Sequence, residues 1–414
     1  MDRIVGKSPW RGKAQIAAPT LAPSACVVDS RAMKPADQLR TASRSARHPL
    51  LARLTHDELA REKFVLSFKL HLGREVQPAN RAVFEKSVEP RFNRDHGRAP
   101  TAPADLAGPM ATAPLHQIWS SLSVTGQELM WRAVGTSLEH DLARLTNEAR
   151  RLRTSNRKRG SLMLDPGVRM PPYAGVIDIH GQPGGYELDE SNDDVLAGAL
   201  YEAGGNLYSR GASIGREDSK AGCLIGFLQE RYPELDPRRI VDFGCSAGAA
   251  SVPYAEAYGN AEVHAIDIGG AMLRYAHARA EALGMAVHFS QRNCEETRFD
   301  DASFDLVVSH NLFHEISATS AAMTFRECHR ILQPGGVMMH LDIPIQNGRL
   351  DLVDRFVALW QTRNNAEPCF PAFAAMDPKA GMADAGFAEE EMIVTDRRKV
   401  DGRGVWYVFG ARKT

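Results

Sequence analysis

The chain has 414 residues, 43% apolar and 24% charged, with 50 basic against 51 acidic side chains and a formal charge of −1 at pH 7. That is apolar material for the cores of two or three domains, and a charge balance that excludes attraction to phosphate backbones or anionic membranes by overall field. No uninterrupted apolar stretch reaches the ~18 residues of a spanning helix. Six cysteines (Cys26, Cys223, Cys245, Cys294, Cys328 and Cys369) lie far apart, without the close pairs of a zinc site or the density of a disulfide scaffold. A cytoplasmic protein is expected.

Residues 1–50 are rich in Ala, Arg, Ser and Pro and poor in acid. An organelle transit peptide has that composition; so does a disordered tail, which is the expectation adopted. From residue 51 the texture turns helical. Thr55-His56-Asp57-Glu58 has the form of a capping box and predicts a helix over 55–71. Further helices are expected over 82–92 and 113–134, and Thr136-Ser137-Leu138-Glu139 repeats the capping pattern before a helix ending near residue 153. Residues 51–160 thus form a mostly α-helical N-terminal domain. The basic run from Arg150 to Arg159 fits a solvated helix end that complements the dipole better than a phosphate contact. Residues 161–235 mix Gly and Pro with short β-rich runs, a connector or lid. Its Tyr173, His180, Tyr186 and Tyr208 either cover a ligand or pin the connector to the surface.

From residue 236 short apolar strands alternate with amphipathic helices. Strands are predicted at 239–243, 263–267, 287–290, 304–309, 337–342, 392–395 and 405–409, and helices at 250–258, 270–283 and 317–332. Such alternation implies βαβ units and a mainly parallel sheet with helices on both faces. The insertion 350–387, with Trp360, Cys369 and Phe370, either lines a cavity or packs as an extra helix.

In open sheets of this kind ligands bind beyond the carboxyl ends of the strands, and there the informative residues stand. The first strand closes with Asp242-Phe243-Gly244-Cys245-Ser246-Ala247-Gly248, where Gly244 and Gly248 permit a sharp turn and close approach to a ligand. The second ends in Asp267, a carboxylate able to accept from both hydroxyls of a ribose. After the third come Asn293 and Cys294, an acceptor and a backbone donor that match an adenine edge. Ser309-His310-Asn311 follows the fourth. Gly-x-Ser-x-Gly lacks the spacing of the dinucleotide fingerprint.

Segments 240–248, 263–273, 292–296, 303–314 and 329–336 resemble, in order and spacing, the motifs of the class I S-adenosylmethionine-dependent methyltransferases. The most similar group is the small-molecule branch that includes the ubiquinone/menaquinone-biosynthesis methyltransferases. The resemblance covers roughly residues 237–344 and makes 236–414 the methyltransferase domain. It implies an α/β, Rossmann-like seven-stranded sheet with helices on both faces and an antiparallel last strand at 405–409. It also implies S-adenosylmethionine as cofactor. By motif, Asp242, Gly244 and Gly248 surround its methionine moiety and Asp267 its ribose. Asn293 stands where the family usually has Asp against adenine, and Ser246 replaces the middle glycine; Cys294 and Ser309 complete the set.

Methyl transfer from a sulfonium requires that nucleophile, carbon and sulfur be aligned and that the acceptor be deprotonated if its pKa is high. His314 is the first candidate for a general base or orienting group, followed by His310 four residues earlier; His340 and Asp342 share a face of the fifth strand. His310-x-x-x-His314 lacks the Glu of the zinc-protease pattern and spacing offers no third ligand, so no metal is expected. Ser309-His310-Asn311-Leu312 stands where base-amino methyltransferases carry Asn/Asp-Pro-Pro-aromatic, which points away from nucleic acid and toward a small organic acceptor methylated at O, C or N. A noncatalytic cofactor-binding regulator and a non-methylating reaction on the same cofactor are the alternatives. The helical domain is expected to serve acceptor binding, homodimer formation or both.

Overall fold

The computed structural model describes residues 48–208, 219–399 and 404–414. Expectations for the tail up to residue 47, Cys26 included, and for the side chain of Tyr208 lie outside the described residues. His48 and Leu50, at the end of the stretch expected to be a tail, are buried, with His48 Nε2 3.0 Å from Glu202 Oε1.

Helix α1 (His56–His71) starts as its capping box requires: Thr55 Oγ1 accepts from the Glu58 N–H, and the Glu58 carboxylate accepts from the Thr55 N–H. The stretch expected as one helix over 82–92 is instead α2 (Ala79–Val83) and α3 (Glu89–His96) joined through a π-helical turn. After α4 (Pro103–Ala111), α5 runs unbroken for 40 residues, Pro114–Arg153. The second capping pattern therefore starts no helix. Thr136 and Ser137 donate back to the carbonyls of Arg132 and Ala133, at 2.9 and 3.1 Å, the mid-helix use of the same hydroxyls. At its end Arg150 and Arg153 pair with Asp193, and Arg151 with Glu148.

Strand β1 (Ser161–Met163) and helices α6 (Leu196–Tyr208) and α7 (Ser219–Arg231) lead into the alternating region. There follow β2 (Arg239–Phe243), α8 (Ser251–Ala257), β3 (Glu262–Asp267), α9 (Gly270–Leu283), β4 (His288–Gln291), β5 (Phe304–His310), α10 (Ala318–Ile331) and β6 (Leu332–Asp342). The insertion holds α11 (Leu352–Asn364), α12 (Phe370–Ala375) and α13 (Pro378–Asp384), before β7 (Met392–Arg398) and β8 (Val405–Arg412). The strand order is β1-β4-β3-β2-β5-β6-β8-β7. β8 runs antiparallel to both neighbours, as the resemblance implied, and the pairs from β1 to β6 are parallel. Seven strands were expected and eight are present among the described residues, because three residues of the connector add β1 to the edge of β4.

Parallel strands covered on both faces are buried along their length, and Ile240, Val241, Phe243, Leu306, Val307 and Val308 are fully inaccessible. Helix α9 is buried all round: one side meets the sheet, and the other shares a core with Met130, Trp131, Val134 and Leu138 of α5 and with Ala197 and Leu200 of α6. Its two buried guanidinium groups are paired, Arg274 with Asp189 at 2.6 Å and Arg279 with Glu202 at 3.1 Å, as buried charge demands. No helix among the described residues is long and apolar enough to cross a membrane.

Candidate active site

The carboxyl ends of β2, β3 and β5 open onto a cavity of about 720 Å³. Its floor is the turn after β2. Gly244 has φ +63, a left-handed backbone that strains other L residues, and a Cβ there would come within 2.8 Å of Leu312 Cδ1. Ser246 also has positive φ, +44, and is tied down by its N–H, which donates to Asp267 Oδ2 at 2.9 Å. The Gly269 N–H donates to Asp267 Oδ1 at 3.0 Å. Burial pushes the Asp267 carboxyl up in pKa, and these amides work against that rise. Asp242 is buried beneath, accepting from Ser251 Oγ at 2.7 Å.

The wall includes Asp242, Gly244, Ser246, Asp267, Asn293, Cys294, His310 and His314. Asn293 Oδ1 accepts from the Glu295 N–H at 2.8 Å and its amide donates to the Arg169 carbonyl at 3.1 Å. Burial pushes the Cys294 thiol up to about 12, so this sulfur is an inert neighbour. Two residues of the expected set are not in the wall. Gly248 lies behind the loop, with Ala276 and Phe289 3.2 Å from where its Cβ would be, and Ser309 Oγ pairs with His340 Nδ1 at 2.8 Å. Burial pushes His340 down to about 3, so that ring is neutral.

A second group of polar side chains faces the same cavity. The segment after β5 is a turn, not a helix, which separates the two histidines. His310 lies between Tyr254 Oη, 3.1 Å from Nε2, and Asp242 Oδ1, 3.4 Å from Nδ1. His314 Nδ1 lies 2.5 Å from Asp342 Oδ1, and its Nε2 lies 3.3 Å from Glu315 Oε1. Asp342 is fixed in turn by the N–H groups of Phe313 and Ile343. From the connector comes His180, with Nε2 3.0 Å from the same Glu315 Oε1 and Nδ1 2.5 Å from Glu367 Oε1. Its backbone is held at φ +57, and its carbonyl accepts from Trp131 Nε1 at 2.7 Å and Gln127 Nε2 at 2.8 Å, both on α5. The long helix thereby sets a strained residue against the cavity.

Burial disfavours charge on His180, but Glu315 and Glu367 outweigh it and push the ring up to about 10. His314 is likewise held well above the usual imidazole range, burial being outweighed by Asp342 and Glu315. Both rings are protonated near neutrality, so neither is a free base. Of the two readings left open for the connector's aromatic residues, Tyr173 and Tyr186 take the first and line the cavity. Of the two readings open to the insertion the structure gives packing: Trp360 packs on Trp119 of α5 and Phe370 stands edge-on to His314, while the cavity lining takes no residue from 350–387. Sequence reasoning passed over Glu315 and Glu367. Adjacency to His314 was a signal for the first; the second had none.

The residues present fit a nucleoside-bearing cofactor. Asp267 offers a carboxylate at the wall, and Asn311 Oδ1, in the same wall, is a buried acceptor without a partner. The volume is that of a small-molecule site. A family model described as a methyltransferase domain matches residues 240–336. A demethylmenaquinone methyltransferase of Thermus thermophilus is 32% identical over 180 residues, 39% of this chain and 80% of that protein. A malonyl-[acyl-carrier protein] O-methyltransferase of Legionella pneumophila is 30% identical over 132 residues, covering 32% of this chain and 44% of its own. A ribosomal RNA small subunit methyltransferase C of Hahella chejuensis is 30% identical over 155 residues, covering 36% and 41%. The chain thus spans less than half the length of the last two. It belongs to the class I S-adenosylmethionine-dependent methyltransferases.

Proposed function

We propose that the protein transfers a methyl group from S-adenosylmethionine to a small organic acceptor, at O, C or N, in the manner of the branch that includes the ubiquinone/menaquinone-biosynthesis enzymes. One observation carries this: the cofactor rim (Asp267, Ser246, Asn293) and the cluster of His180, His314 and Glu315 are walls of the same cavity. When bound, the cofactor supplies an activated methyl on a sulfonium, a group that leaves without protonation.

The chain's own residues bind, align and exclude water. Asp267 receives the ribose hydroxyls, and Asn293 with the Cys294 amide receives the adenine. Gly244, Ser246, Gly248 and Asp242 shape the loop around the methionine moiety, and Ser309 supports the floor through His340. His314, pinned by Asp342, orients the acceptor; His310, engaged by Asp242 and Tyr254, lies beside it. The helical N-terminal domain (51–160) and the connector (161–235) close the acceptor side through Trp131 and His180. The small cavity and the absence of an Asn/Asp-Pro-Pro-aromatic turn favour a metabolite over a nucleic-acid base. The unpaired cysteines among the described residues suit a cytoplasmic setting. A homodimer through the helical domain remains part of this reading, and sedimentation velocity tests it.

The decisive experiment incubates the protein with S-adenosylmethionine and a metabolite extract and follows S-adenosylhomocysteine and methylated product by mass. Formation of both is expected, and His314→Ala is expected to lower turnover roughly 100-fold or more with cofactor affinity retained. Cofactor bound with no S-adenosylhomocysteine formed under any condition refutes transfer.

A further inference from the structure

We infer that His180 Nε2, His314 Nε2 and Glu315 Oε1 form the binding site of a divalent first-row transition-metal ion on the acceptor side of the cavity, an ion that takes the place of the Nε2 proton on each ring and releases it to solvent. The inference rests on the reading of this cavity as the acceptor chamber.

The geometry has three parts. First, both imidazole Nε2 atoms converge on one carboxylate oxygen, at 3.0 and 3.3 Å. Ligand atoms roughly 90–110° apart around an ion with bonds of ~2.1 Å stand about 3.0–3.4 Å from one another, so the two edges that meet at Glu315 Oε1 already have the spacing of a coordination shell. One ligand atom from each of His180, His314, Glu315 and Glu367 lies within 4.8 Å of every other.

Second, each histidine carries a carboxylate on its other nitrogen. Glu367 sits 2.5 Å from His180 Nδ1, and Asp342 2.5 Å from His314 Nδ1. That is how metal-binding histidines are held: the outer carboxylate fixes ring and tautomer and raises the basicity of the nitrogen that faces the ion. Glu367 and Asp342 are almost wholly inaccessible, and an acid whose only task were solubility would not be placed there.

Third, the division between inner and outer residues follows the cavity. His180, His314 and Glu315 line it; Glu367 and Asp342 do not. Glu315 Oε2 is buried without a hydrogen-bond partner. Two histidines and one carboxylate on one face, with the opposite positions open to a cavity, is the donor set of octahedral Fe(II)-type sites and is also compatible with Zn²⁺ or Mn²⁺. The open positions suit an acceptor that offers oxygen donors. Spacing along the chain gave no third ligand for His310 and His314; the fold discards His310 and brings His180 from 135 residues away.

The test uses the full chain, stripped with chelator and titrated with Co²⁺ as spectroscopic probe and with Zn²⁺ by calorimetry. S-adenosylhomocysteine binding is measured alongside. One equivalent of Co²⁺ with ligand-field bands is expected. His180→Ala should weaken binding at least about 100-fold, and Glu367→Gln, which keeps the shape, roughly 10- to 100-fold, both with S-adenosylhomocysteine affinity unchanged. Wild-type chain that binds S-adenosylhomocysteine but takes up no stoichiometric ion overturns this inference alone, as does ion binding unaltered in both variants. An ion bound as expected with no affinity for S-adenosylhomocysteine supports it and refutes the cofactor assignment instead.

Discussion

Asp267→Asn isolates the charge at the centre of the cofactor site. The carboxylate accepts one backbone N–H on each oxygen, from Ser246 and from Gly269. An asparagine can satisfy only one of these: whichever way its amide turns, its NH₂ faces the other N–H. The variant therefore loses both the negative charge offered to the ribose and one anchor of the loop. Hydrogen bonds to a charged group contribute about 1.5–3 kcal/mol each. Two ribose hydroxyls reading the carboxylate therefore amount to roughly 3–6 kcal/mol, so even half of that weakens binding by more than about tenfold, and the full amount by 100-fold or more. Calorimetric titration with S-adenosylhomocysteine measures the loss, and thermal melting checks that the fold survives. A folded Asp267→Asn protein with a dissociation constant within about twofold of wild type would show that the sugar is not held here.

The remaining expectations concern the frame around the site. Glu62, pushed by burial up to about 7 from an ordinary 4.5, keeps its proton in the folded chain after the unfolded chain has lost it. Stability should therefore fall as pH rises from about 4.5 to 7, by roughly 1–3 kcal/mol; Glu62→Gln should flatten that slope in urea melts, and an unchanged slope would rule Glu62 out as its source. Glu202 is surrounded by His48, Tyr275 and Arg279, and although burial opposes its charge, Arg279 and His48 hold it down to about 2. Glu202→Gln removes the carboxylate charge that faces the Arg279 guanidinium, 1% exposed, at a cost of about 3–5 kcal/mol by chemical denaturation; a loss below about 1 kcal/mol would mean the cluster is not coupled. In Gly204→Ala the new Cβ would stand 2.5 Å from the Trp131 ring. Overpacking should cost about 1–3 kcal/mol, and because Trp131 holds the His180 carbonyl, turnover should fall further than stability explains. Wild-type turnover would show that this link is slack.

The sheet domain was legible because its signals are local. Runs such as Ile240-Val241 and Val307-Val308, glycines at strand ends and the helix from Gly270 to Leu283 follow from residue periodicity and backbone preference within a few residues, and six of the seven predicted strands begin within one residue of their observed start. Asp267 is legible for the same reason, since it sits where a strand ends. Signals with two local uses misled: Thr136 and Ser137 can cap a helix or bond back inside one, and only the packing of α5 against α1, α6 and α9 makes the unbroken helix the better choice. Three residues, Ser161–Met163, form a strand only because the edge of β4 is there to pair with.

The acceptor side lay beyond any local rule. His180, Glu315, Asp342 and Glu367 come from a strained turn, a strand-end turn, a strand end and an insertion loop, and each is costly to bury alone. Their charges become tolerable only when the chain closes and sets opposite signs within hydrogen-bond reach. Residue order states which groups exist and which backbone shapes they prefer; long-range packing alone states which of them meet.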